Sequence, residues 1–178
     1  MANVARHRDK IINTTIRLYR EKGFAGTGLA EILALSGAPK GSLYYYFPGG
    51  KEELTVAAIT TAGRVVEKTL RELADQTASP EQFVKAYCNL LAEWMEASRF
   101  KAGCPIATTI LEAVPQSKAI TEASREVFKR WTMLIAGVFQ AGGEEVEDSI
   151  KAAEQAIALI QGRLLLARVQ QSSAPLLA

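Results

Sequence analysis

Apolar positions recur at helical spacing from the start of the chain, and strict apolar–polar alternation is almost absent. Ile11, Ile12, Thr15, Leu18 and Tyr19 fall on one face of a first helix, which Gly23 is suited to end before Phe24 turns back to the core. Thr27 is placed to cap a very short second helix with the inner face Leu29, Ile32 and Leu33, ending at Ser36-Gly37. Pro39 suits the first turn of a third helix, and Phe47-Pro48-Gly49-Gly50 stops it after barely two turns. Two short helices joined by a tight glycine-containing turn, under a longer first helix, describe a helix-turn-helix domain over residues 1–50.

From Lys51 the spacing predicts longer amphipathic helices, making residues 51–178 a second domain. One runs to about Gln76. Ser79-Pro80-Glu81-Gln82 starts the next with an N-cap, a first-turn proline and a capping-box glutamine, and its wide apolar face implies several neighbours. Arg99 to Gly103 reads as a loop, and Cys104-Pro105 opens a shorter helix ending near Val114-Pro115. Two long helices follow, roughly Ser117 to Ala141 and Glu144 to Gln171, split by Gly142-Gly143; the tail after Ser172 is expected to fray. The expected fold is all-α with eight or nine helices.

Charge and cysteine usage narrow the class. The chain of 178 residues carries a net charge of +2, with eight Lys/Arg against five Asp/Glu up to residue 55, which points weakly to an anionic partner for that part. Cys88 and Cys104 lack CxxC spacing, so free thiols in a reducing compartment are expected, and we place the protein in the cytoplasm. The charged residues among the first twenty-five leave no signal-peptide core, and Glu154, Gln155, Gln161, Arg163 and Arg168 interrupt the most apolar segment, so no membrane span is expected.

The stretch GSLYYYFPGGKEEL, residues 41–54, carries the functional signal. On a two-turn helix Leu43, Tyr46 and Phe47 face inward, leaving Lys40, Gly41, Ser42, Tyr44 and Tyr45 on the outside. Lysine charge, hydroxyl donors, a close backbone approach at glycine and aromatic rings suit phosphates and groove edges. Lys51 at the next helix start, beside free backbone N–H groups, suits a docked phosphate; on the plainer reading Glu52 and Glu53 merely offset it.

Residues 8–54, with the run AEILALSGAPKGSLYYYFPGGKEEL, resemble the DNA-binding domain of the TetR/AcrR family of bacterial transcription regulators. GCPIATTILEAVP and ALIQGRLLLARVQQSSAPL resemble its LmrA/YxaF-type branch. The resemblance implies that Thr27, Lys40, Ser42, Tyr44 and Lys51 contact phosphate or groove, and that Gly41, Tyr45 and Tyr46 face bases or backbone. Ala30 and Gly28 depart from the family pattern, which shifts expected base readout from the second helix to the third and to DNA shape.

It further implies a ligand-releasable repressor that binds a palindromic operator as a homodimer. Phe83, Tyr87, Leu91, Trp94, Met95, Cys104, Ile106, Trp131, Met133, Ile135 and Phe139 supply suitable lining for a small hydrophobic effector, although such positions also make ordinary core. An apolar stripe at Ala153, Ile157, Ile160, Leu164 and Ala167 suits the dimer contact; Arg163 is open to a salt bridge across the dimer, a place in the pocket or snorkelling to solvent, with a structural pairing favoured. No cofactor, metal or enzymatic activity is expected, since His7 is the only histidine and lacks a ligand cluster. A thiol sensor at Cys104 and a protein-binding helical adaptor are the alternatives weighed against this reading.

Overall fold

The computed structural model describes the backbone of residues 2–39 and 41–178, with the side chains of that set from His7 onward. Among these residues nine helices and no strands occur: α1 (Ala2–Lys22), α2 (Leu29–Ser36), α3 (Ser42–Tyr46), α4 (Gly50–Gln76), α5 (Pro80–Ala97), α6 (Pro105–Ala113), α7 (Lys118–Ala141), α8 (Val146–Gln170) and α9 (Ala174–Leu177). Contacts divide the chain into two compact units, Met1–Gly63 with Pro105–Glu126, and Arg64–Cys104 with Val127–Ala178. None of the described helices is long and apolar enough to cross a membrane.

In the first unit the expected inner face of α1 is buried, and Ile11, Ile12 and Leu18 form one cluster with Ile32, Leu43, Phe47 and Leu54. A helix as short as α3 cannot hold itself, because nucleation fixes several residues for one hydrogen bond. Its conformation depends on Leu43 and Phe47, both essentially inaccessible. Gly37 ends α2 at φ +63°, the left-handed position that glycine occupies without a Cβ clash.

Thr27 is a correction to the sequence expectation. The N-cap of α2 is Gly28, without a side-chain cap, while the buried Thr27 hydroxyl donates back to the Gly23 carbonyl at 2.8 Å. That bond satisfies an orphan carbonyl at the end of α1 instead of an N–H at the start of α2.

The second unit holds α5, α8 and α9 with parts of α4 and α7. Ser79 caps α5 by accepting from the Gln82 N–H at 3.3 Å, and the Gln82 side chain accepts from the Ala78 N–H, one residue before the cap, at 3.0 Å. Arg130 and Glu67 pair at 2.5 Å, both largely shielded. The tail does not fray as expected: α9 packs on α5 and α8, buries Leu176, and ties the Ser173 hydroxyl to Glu96. Burial of Leu176 contributes roughly 1.5–3 kcal/mol toward the cost of ordering this turn.

Tyr19 and Tyr87 give these units a measurable pH response. Burial raises the Tyr19 phenol from 10.0 to about 12, against the opposing hydrogen bond from Thr55, and burial pushes Tyr87 above its ordinary value too. A raised phenol binds its proton more tightly in the folded state, so the stabilisation is complete below pH 10 and is lost as pH rises through the folded values. We expect the unfolding midpoint to fall between pH 10 and about 12, with Tyr19→Phe flattening that slope in a thermal series; an unchanged slope would refute the assignment to Tyr19.

Candidate nucleic-acid interface

The short third helix presents two neighbouring phenols to solvent. Tyr44 is 63% exposed and Tyr45 73% exposed, while Leu43 and Phe47 anchor the opposite side. Tyr46 is half-buried against the cluster, with its ring edge-on to Tyr45 at 5.0 Å and to Phe47 at 6.4 Å. It therefore meets the core with its ring, as its inward position in the sequence requires.

Gly41 is exposed, and a Cβ there would meet open space, so the backbone is accessible at the start of α3. Ser42 donates its hydroxyl to the Pro39 carbonyl at 2.6 Å, which commits the proton a phosphate would need. Thr27 is fully buried and offers no surface to a nucleic acid. Lys40 lies outside the described residues.

Lys51 is turned inward. Its ammonium donates to the Phe24 carbonyl at 2.6 Å and sits 4.2 Å from the centroid of the Phe24 ring. Partial burial lowers its pKa, with the charge of Glu112 opposing the shift. The neighbouring carboxylates are engaged locally: Glu53 accepts from the Gly49 N–H at 2.8 Å and Glu52 from the Ser117 hydroxyl.

Two residues that the sequence did not single out complete this surface. Glu112 of α6 accepts from the Ala25 N–H at 2.6 Å, so the turn after α1 lies between a lysine on one side and a carboxylate on the other. Gly23, at φ +76°, has no room for more, since a Cβ there would come within 2.7 Å of Glu112 Oε1. Arg8, exposed on α1, stacks over the Phe47 ring at 5.5 Å and sets a guanidinium beside α3. Neither role has a local signal, because Ala25 and Glu112 are 87 positions apart.

Residues 11–58 match the N-terminal domain of "Bacterial regulatory proteins, tetR family", and residues 80–178 match "Transcriptional regulator LmrA/YxaF-like, C-terminal domain". The chain belongs to the TetR family of transcriptional regulators. Two relatives from Bacillus subtilis (strain 168) are 31% identical over 170 residues and 96% of this chain. They are an uncharacterized HTH-type transcriptional regulator, YxaF, matched over 89% of its length, and the HTH-type transcriptional regulator LmrA, matched over 90%. The crystal structure of a regulatory protein TetR from Rhodobacter sphaeroides superposes with a TM-score of 0.84 at 25% identity, covering 94% of this chain and 92% of that one. This TetR-family regulator carries a helix-turn-helix DNA-binding domain and is not an enzyme.

Within the regulator's second unit, the residues expected to line an effector site are mostly packed against protein. Phe83, Tyr87, Leu91, Met95, Trp131 and Ile135 are buried, Trp94 and Cys104 are half-buried, and Trp131 stacks edge-on to Phe128 at 5.3 Å. Two clefts in this unit, about 700 and about 580 Å³, are lined mostly by other residues, with Phe139 in the first and Met133 in the second.

The expected dimer stripe is corrected in the same way. Ala153, Ile160 and Ala167 are buried inside the protomer, with Ile157 and Leu164 half-buried beside them, so this face of α8 packs on its own chain. The apolar residues left in solvent lie on the other side: Leu159, Leu165, Leu166 and Val169, the last of them 73% exposed.

Proposed function

We propose that this regulator represses transcription, binding a palindromic operator as a homodimer and releasing it when a small hydrophobic effector occupies the C-terminal domain. In this reading residues 1–50 contact DNA, residues 51–178 hold the effector and the dimer contact, and the protein works in the cytoplasm. The observation that carries it is the exposed pair Tyr44 and Tyr45 on a helix too short to exist without the core beneath it. A free-standing adaptor has no need of two exposed phenols on such a helix.

Tyr44, Tyr45 and the accessible Gly41 backbone form the centre of the DNA surface, flanked by Arg8 and, outside the described residues, Lys40. Phenol and guanidinium groups donate to phosphates, while ring faces meet sugars and thymine methyls. Thr27 has no part in it, and Lys51 acts by bracing the turn at Phe24.

The dimer contact is assigned to a second copy of the chain meeting Leu159, Gly162, Leu165, Leu166 and Val169 of α8. A run of exposed large apolar side chains along one helix costs solubility unless it is covered. Gly162, where a Cβ would meet only open space, lets a partner helix approach.

Selection of bound sites from random duplex DNA tests the reading. We expect the wild-type protein to enrich a palindrome, and Tyr44→Ala to keep its fold and lose about tenfold or more in affinity, as removal of a groove contact does. Steep weakening with salt would accompany specific binding. No enriched duplex from folded protein at low salt would favour the adaptor.

A further inference from the structure

We propose that the cleft between α5, the α7–α8 turn, α8 and α9 binds an amphiphilic anion, an apolar ring or chain bearing one acidic group, with Arg163 as its counter-ion. The proposal rests on the effector reading above and gives the effector a chemical class and a place. The cleft lies within the second unit, is partly open to solvent, and has a volume of about 700 Å³, suited to a small organic molecule.

Its lining is layered. Cys88, Phe139 and Leu176 are buried and make an apolar floor. Val84 and Arg163 are half-buried and stand as walls. Glu81, Lys85, Asn89 and Glu144 line the cleft too, but all four are exposed, so water screens the rim charges of both signs.

Arg163 is thus the one charged side chain of the lining that is half-buried. Among the described residues its guanidinium has no hydrogen bond or ion pair, although a fork of five donors on a half-buried stem is suited to a bidentate acceptor. Within its own chain Arg163 pairs with no described residue, so of the places the sequence allows it, the pocket is the one this cleft supplies. An apolar floor with a single shielded cation above it selects a molecule of matching polarity: a hydrophobic body inward and one carboxylate, sulfonate or phenolate at Arg163.

Two fluorescent probes of nearly equal body separate the parts of this assignment. Anilinonaphthalene sulfonate carries the anion, and phenylnaphthylamine lacks it. We expect the anionic probe to bind the wild-type protein saturably, and Arg163→Gln to weaken it about tenfold or more, while Arg163→Lys, which keeps the charge but not the fork, falls between the two. The neutral probe should bind wild type and Arg163→Gln alike, and Val84→Trp, which narrows the wall, should weaken both probes. The proposal is overturned if Arg163→Gln leaves the anionic probe unaffected, or if it weakens both probes equally. Release of the selected operator duplex by the anionic probe is measured separately. Binding without release leaves the anion site standing and removes the effector role beneath it.

Discussion

Phe47→Ala is expected to unfold the DNA-binding part of the molecule at temperatures where the wild-type protein is intact. Phe47 is 1% exposed and lies in the cluster with Leu43, Ile32, Ile11 and Leu54. Deleting a buried phenylalanine side chain costs about 3–5 kcal/mol, through lost transfer free energy and the cavity left behind. Domains as a rule hold only about 5–15 kcal/mol in total. Helix α3 has no intrinsic stability to resist the loss, and Arg8 loses the ring it stacks on. Urea unfolding should show the lower midpoint, and hydrogen exchange should place the earliest opening at α3 rather than at α5. Phe47→Leu keeps most of the buried volume and should cost distinctly less, while still removing the Arg8 stacking. If Phe47→Ala unfolds at the wild-type midpoint, the dependence of α3 on this residue is wrong.

Leu166→Arg is expected to leave each chain folded and to abolish dimer formation. Leu166 is 50% exposed, so the change leaves no internal cavity, but it sets a cation in the middle of the apolar side of α8. Two copies meeting on this face would bring two such charges together in a desolvated contact, a cost of several kcal/mol. Sedimentation should then give a monomer with an unaltered helical spectrum. Operator affinity should fall by about 10²–10⁴, because a dimer binds its second half-site at a high effective concentration that separate heads lack. Ile160→Arg is the control for the opposite face: Ile160 is 5% exposed, and this change should unfold the second unit. A Leu166→Arg protein that still sediments as a dimer would move the contact elsewhere.

The helices and their stops were legible from local chemistry. Gly23 and Gly37 end α1 and α2 at positive φ, Ser79-Pro80-Glu81-Gln82 opens α5 with a side-chain cap, and Leu43 and Phe47 share the inner face of α3. These signals act within a few residues, where spacing and backbone preference are sufficient. The exposed phenols of α3 followed, because an anchored inner face leaves Tyr44 and Tyr45 only the outside.

The remaining features were decided by partners distant in sequence. Lys51 reads as a phosphate ligand until Phe24, far off in sequence, supplies a carbonyl and a ring. Glu112 gains its role only because α6 packs on α1. On α8 periodicity offers two apolar sides, Ala153–Ile160–Ala167 and Leu159–Leu166–Val169, and the pattern alone does not rank them. Small residues let neighbouring elements approach closely, so tertiary packing takes the alanine side inward and leaves the leucines for another surface. Local interactions of a few residues' range set where α1 to α8 run; α9, the way each helix's groups face, and which of them remain free to bind depended on contacts that form only when the chain is folded.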